Sequence, residues 1–140
     1  MATRSRIAIE LADGSVESIY CHWDGYPEHN GRLLTDHYTL PEKVQGLIDL
    51  GDISYLAPIL EPTDAHSFNK PEDGVVVAYG RDRGETGVGK KIHGSVPDFF
   101  NGDIEEYGYL FTQEGEWLCK HSHAKEPVVV DYVLSGEVKF

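Results

Sequence analysis

The chain is poor in cysteine, short of positive charge and without a long apolar run, and each shortage removes a class of protein. Cys21 and Cys119 are its two cysteines and lie far apart with no C-x-x-C pair, so no disulfide framework or cysteine-rich zinc site is signalled and a reducing compartment is expected. Twelve Lys and Arg stand against 24 Asp and Glu, a formal net charge of −12. Neutralising a phosphate backbone needs an excess of cations, so direct binding to nucleic acid or to an anionic membrane is not expected. No window approaches the run of about 18 apolar residues that spans a bilayer, and the first residues carry no secretion signal, which points to the cytoplasm. H-E-x-x-H, G-x-S-x-G and internal repeats are all missing.

What is there suits a packed core. With 140 residues, 40% of them hydrophobic and 26% charged, the chain has the size and composition of one domain. Ile7, Ile9 and Leu11 alternate along 6–11, and a β-rich stretch over 16–23 follows an Ala12-Asp13-Gly14 turn, which predicts a β-hairpin. Asn30 is placed to cap a short helix reaching Tyr38. A second helix is expected over 41–50, with Val44, Leu47 and Ile48 at helical spacing and Gly51 at its C-terminal cap. Pro58, Pro62 and Pro71 make 52–73 a long loop. Strands are expected over 75–79 and 128–134, and a short helix capped by Ser95 buries Phe99 and Phe100. The stretches 107–112 and 116–121 flank Gln113-Glu114-Gly115 as a second hairpin. The fold class expected is α+β, with two hairpins and further strands in an antiparallel sheet and two or three short helices.

Two segments carry candidate chemistry. Gly84-Glu85-Thr86-Gly87-Val88-Gly89-Lys90-Lys91 meets seven of the eight places of a phosphate-binding P-loop, but Lys91 stands where a hydroxyl would hold magnesium. A looser phosphate site is still open, in which exposed glycine amides act with Arg81, Arg83 and Lys90. The alternative is a loop of solvated charges. The other segment, His22-Trp23-Asp24 with Tyr26, gathers an imidazole, two aromatic rings and a carboxylate at a strand end, where rings can stack on a base and strand alternation would set His22 and Asp24 on one side. The alternative there is that Trp23 enters the core. Seven histidines, His121 and His123 among them, show no metal-binding spacing, and neither a cofactor nor a catalytic residue is expected.

The stretches Ile19-Tyr20-Cys21-His22-Trp23-Asp24-Gly25-Tyr26-Pro27, His37-Tyr38, Leu50-Gly51-Asp52-Ile53-Ser54, Ala78-Tyr79-Gly80-Arg81-Asp82-Arg83-Gly84-Glu85 and Glu106-Tyr107-Gly108-Tyr109-Leu110-Phe111 resemble a family of small, functionally unassigned accessory proteins of tailed bacteriophages and prophages. The resemblance covers roughly residues 1 to 120. It implies action in the cytoplasm of an infected bacterium and assigns no catalytic residue. The leading expectation is a binder of a nucleotide-derived small molecule that sequesters a host defence signal, with ligand-binding residues His22, Trp23, Asp24, Tyr26, Arg81, Arg83 and Lys90. A second is an acidic inhibitor that mimics nucleic acid and occupies a basic host protein. A third is a nucleotide or phosphodiester hydrolase using His22 and Asp24, and a homo-oligomer stays open.

Overall fold

The N-terminal alternation folds as its pattern predicts. In the computed structural model, which describes residues 2–63 and 65–139, β1 (Ser5–Glu10) and β2 (Val16–Cys21) pair antiparallel, with Ser5 opposite Cys21 and Glu10 opposite Val16. The turn is closed by Asp13, whose carboxylate accepts from the Ser15 amide at 2.9 Å and hydroxyl at 2.6 Å, and by Gly14 at φ +87°. The second hairpin joins β6 (Tyr107–Phe111) to β7 (Trp117–His121), and β6 lies parallel to β1 with Ser5 opposite Tyr107.

Short strands complete the sheet: β3 (Ile53–Tyr55), β4 (Val77–Ala78), β5 (Lys91–His93) and β8 (Val128–Val129). Among the described residues the order is β4-β3-β2-β1-β6-β7-β8, and β5 pairs with β2 beyond the point where β3 leaves it. Five helices accompany them: α1 (Arg32–His37), α2 (Pro41–Asp49), α3 (Tyr79–Arg83), α4 (Val96–Phe100) and α5 (Val130–Leu134). The fold is α+β.

The two faces of the sheet differ in kind. Odd positions Ile7, Ile9, Ile19, Cys21, Tyr109, Phe111, Trp117 and Cys119 are buried with Leu34, Val44, Leu47, Ile48 and Val130 from α1, α2 and α5. On the even side Ala8, Val16 and Leu110 pack against Phe99 and Phe100 of α4 and against Ile104. That second cover is small. Beside it the even face carries polar side chains, and Arg6, Ser18 and Lys120 are buried there.

Several elements depart from the sequence expectation. The sheet is mixed, because β1/β6 and β2/β3 run parallel, and alternation is the same for either direction. The 52–73 stretch holds β3. Val75 to Ala78 are buried as expected, but the strand is only Val77–Ala78, because Asp82 accepts the Ala78 amide at 2.8 Å and Tyr79 begins α3. The β-branched run at 128–134 gives two strand residues and then α5, since packing of Val130 into the core overrides β propensity. Asn30 caps no helix: it lies inside a π-helical turn, Pro27–Gly31, with its amide donating to Ser5 Oγ and Cys21 Sγ.

Candidate functional site

The cations in and before the glycine-rich loop engage the chain's own carboxylates and carbonyls. Arg81 turns inward and donates to the carbonyls of Leu60 and Val76, each at 2.6 Å, and to the Asp82 carboxylate at 2.9 and 3.2 Å. The Asp82 side chain is 3% exposed, and His66 Nε2 touches it at 3.0 Å without the alignment of a hydrogen bond. Burial raises the Asp82 carboxyl's pKa, but bonds from Arg81 and the Ala78 amide and the nearby His66 more than offset this, leaving it below the ordinary value of 3.8. Arg83 lies over the rings of Phe68 and Tyr79, 4.3 and 4.9 Å from their centroids, and pairs with Glu85. Lys90 bridges Asp49 at 2.8 Å and Glu17 at 3.0 Å. All three cations are committed to internal carboxylates.

The aromatic segment divides between two surfaces. The ladder beyond β2 continues through His22 N to Ile53 O at 3.2 Å and Trp23 N to Ser54 O at 3.0 Å, then stops at Asp24, which has φ +56°. Strand alternation therefore does not extend to Asp24, and it does not place that carboxylate beside His22. His22 turns to the even face, where Nδ1 lies 2.7 Å from the Tyr20 hydroxyl. Trp23 stays at the surface, 43% exposed, instead of entering the core. Beyond it Tyr26 and Tyr55 flank His29, at ring separations of 6.1 and 5.4 Å. His121 and His123 stack at 5.2 Å, and among the described residues no group of three metal-ligating side chains forms.

The even face supplies a functional candidate that the sequence reading missed. Arg6, on β1, is 6% exposed, and its Nε donates to Ser18 Oγ at 3.1 Å while one terminal nitrogen donates to the Ser18 carbonyl at 3.3 Å. Among the described residues its other terminal nitrogen has no hydrogen-bond partner, and it is not sealed from solvent. Among the described residues no carboxylate lies within 4.0 Å of this guanidinium. Burial lowers its pKa, while the fields of Asp52, Glu105 and Asp103, farther off, work in the opposite direction. Buried charges are normally paired, so an unpaired one in a chain with twice as many acids as bases is unusual. Lys120 repeats the pattern across Gly108, 7% exposed with its ammonium on the Phe100 carbonyl at 3.2 Å and no carboxylate partner among the described residues.

Around Arg6 the face is polar and aromatic. His93 Nε2 is 2.7 Å from Ser18 Oγ, and burial first, then the charges of Arg6 and Lys91, lowers the His93 pKa below 6.5. Tyr20 sits opposite Arg6 in the hairpin register, and its hydroxyl meets His22. Glu105, half-buried at φ +63°, has its pKa raised by burial and by Asp103. A positive φ at a residue with a side chain is a strained conformation of the kind that gathers at functional sites. Asp52, itself in one resembling stretch, bonds to two others and to the glycine-rich loop: its carboxylate accepts the Tyr20 amide, its carbonyl the Tyr79 amide, and its own amide donates to the Val88 carbonyl. The signal for Arg6 in the sequence was a cation alternating with Ala8 on one strand face; its neighbours there, Tyr20 on β2 and Gly108 on β6, follow from the pairing.

No protein-family model, curated protein or solved structure matches the chain. Among the described residues no helix is long and apolar enough to cross a membrane.

Proposed function

We propose that the chain is a binding protein for a small anionic ligand of the nucleotide-like class, held on the even face of the sheet. The observation that carries this reading is the Arg6 guanidinium, buried, free of any carboxylate partner among the described residues and open at one terminal nitrogen. A planar fork with a free edge suits phosphate or carboxylate oxygens, and burial strengthens such a contact. Ser18 and His93 supply neutral polar groups beside the anion, and Tyr20 with His22 offers rings for a base next to it. The role first given to Arg81, Arg83 and Lys90 thus moves to Arg6. In the setting the phage resemblance implies, a stoichiometric binder of this kind would withdraw a nucleotide-derived signal from the host cytoplasm.

The test is a thermal-shift series with ADP, cyclic AMP and a cyclic dinucleotide, with inorganic phosphate alongside, because a ligand of the folded state raises the melting temperature. At least one nucleotide should raise it in the wild type and in Arg83→Gln, and the shift should vanish in Arg6→Gln. A shift that survives Arg6→Gln but disappears in Arg83→Gln or Lys90→Gln would return the site to the glycine-rich loop. Conversion of the ligand during the assay would indicate the hydrolase.

A further inference from the structure

The aromatic side chains at the end of β2 form a second surface that adjoins the Arg6 face where the Trp23 ring packs edge-on to His22 at 4.8 Å. Trp23 lies beside the backbone that carries Tyr55, its amide donating to the Ser54 carbonyl at 3.0 Å. Their exposures are 43% and 38%, and Tyr26 adds another ring at 38%. His29 lies between Tyr26 and Tyr55, with Nε2 3.3 Å from the Tyr55 hydroxyl. Large aromatics left in water at one place mark binding surfaces more often than accidents of packing, and Trp and Tyr dominate the energetics of interfaces.

The support beneath this patch is rigid. Gly25 is pressed against the first strand so closely that a Cβ there would lie 2.7 Å from Ser5 Cβ, and its carbonyl accepts the Tyr109 hydroxyl at 2.6 Å. Asp24 is held at φ +56°, and the next turn is a π-helical one, an irregularity that recurs at functional sites. The rings are thus displayed on a fixed frame rather than on a loose loop.

Charge decides among occupants. Asp24 lies between Trp23 and Tyr26 in the chain, and its field reaches Tyr55, whose phenol is raised by burial first and then by that carboxylate. Nucleic acid is repelled by such a surface. A second copy would bring the same acid against itself and a further net charge of −12. A cation gains twice, from the acid and from the ring faces.

We propose that Trp23, Tyr26 and Tyr55, with Asp24 beside them, form a docking surface for a Lys- or Arg-bearing segment of a protein partner. The ring faces take the aliphatic stem and the cationic head, and Asp24 neutralises the charge. The even-face anion site is not required for this contact.

The experiment is fluorescence anisotropy with a labelled nine-residue Arg- and Lys-rich peptide at physiological salt. Trp23→Ala with Tyr55→Ala, which leaves the net charge unchanged, should weaken binding at least tenfold. Glu114→Gln with Glu116→Gln, which removes two remote charges, should change it less than twofold. Tyr26→Ser is a milder second variant and should weaken binding about threefold if the double variant misfolds by circular dichroism. Three results would overturn the proposal: no saturable binding by the wild type, equal loss from the remote charge variant, or wild-type affinity in the aromatic variants. A dimer of the free chain that dissolves in Trp23→Ala would assign the patch to a second copy and overturn it as well.

Discussion

Arg6 and His93 meet through one hydroxyl, and that geometry couples ligand to proton. His93 is kept neutral by burial and by the positive charges of Arg6 and Lys91. An anion on Arg6 cancels part of that field, so the pKa of His93 rises on binding and a proton is taken up. Affinity for a cyclic dinucleotide, whose phosphodiester charge is constant here, should therefore increase as pH falls from 7.5 to 5.5 (a titration range chosen to bracket the ordinary histidine value), and calorimetry in buffers of different ionisation enthalpy should register the proton. In His93→Gln the dependence should flatten. The linkage for folding has the opposite outcome at low pH: a depressed histidine pKa gives stability that is present above 6.5 and lost as pH falls below it.

Asp82 makes the corresponding prediction for stability. Removing one partner of a buried ion pair strands the other, so Asp82→Ala should cost about 3 kcal/mol in urea denaturation. Arg83→Ala, at an exposed pair, should stay within about 1 kcal/mol. The Asp82 carboxyl is depressed below 3.8, so its contribution holds above the ordinary carboxylate range and is lost as pH falls through its lowered pKa. Asp82→Asn should blunt that acid loss.

At the scale of elements, the segments with local signals were legible and those fixed by distant partners were not. Both hairpins, the helix over 41–49 and the Ser95 cap follow from alternation, helical spacing and turn chemistry, and Ser95 Oγ does accept the Asp98 amide at 3.2 Å. β5, the parallel pairings and α5 answer to tertiary contacts, which no short window contains. The partners of the candidate cations were hidden in the same way: Leu60, Val76, Asp49 and Glu17, which contact Arg81 and Lys90, are remote in sequence or unremarkable beside them. Gly51 gives the sharpest test at this scale. It ends α2 at φ +79°, and an added Cβ would lie 2.4 Å from the Val88 carbonyl oxygen. Gly51→Ala should cost about 3 kcal/mol, whereas Gly84→Ala, at φ +72° with open space around it, should cost about 1 kcal/mol. Chemical denaturation compares the two directly.

Over the whole molecule, charge is distributed against its average. A chain of net charge −12 places an acid, Asp24, within the aromatic patch, and among the described residues it buries Arg6 and Lys120 without carboxylate partners on one sheet face. A net charge of this sign opposes the approach of phosphate polymers, yet a local, largely buried cation still suits one small anion. The central claim is that Arg6 receives this anion. A ¹H–¹⁵N titration with a cyclic dinucleotide tests it most directly, since arginine Nε resonances report each guanidinium separately. The account predicts saturable shifts of Arg6 Nε, the Ser18 amide and the His93 ring, with Arg81 Nε unmoved. Shifts confined to residues 80–91, or none at Arg6 at saturating ligand, would contradict it.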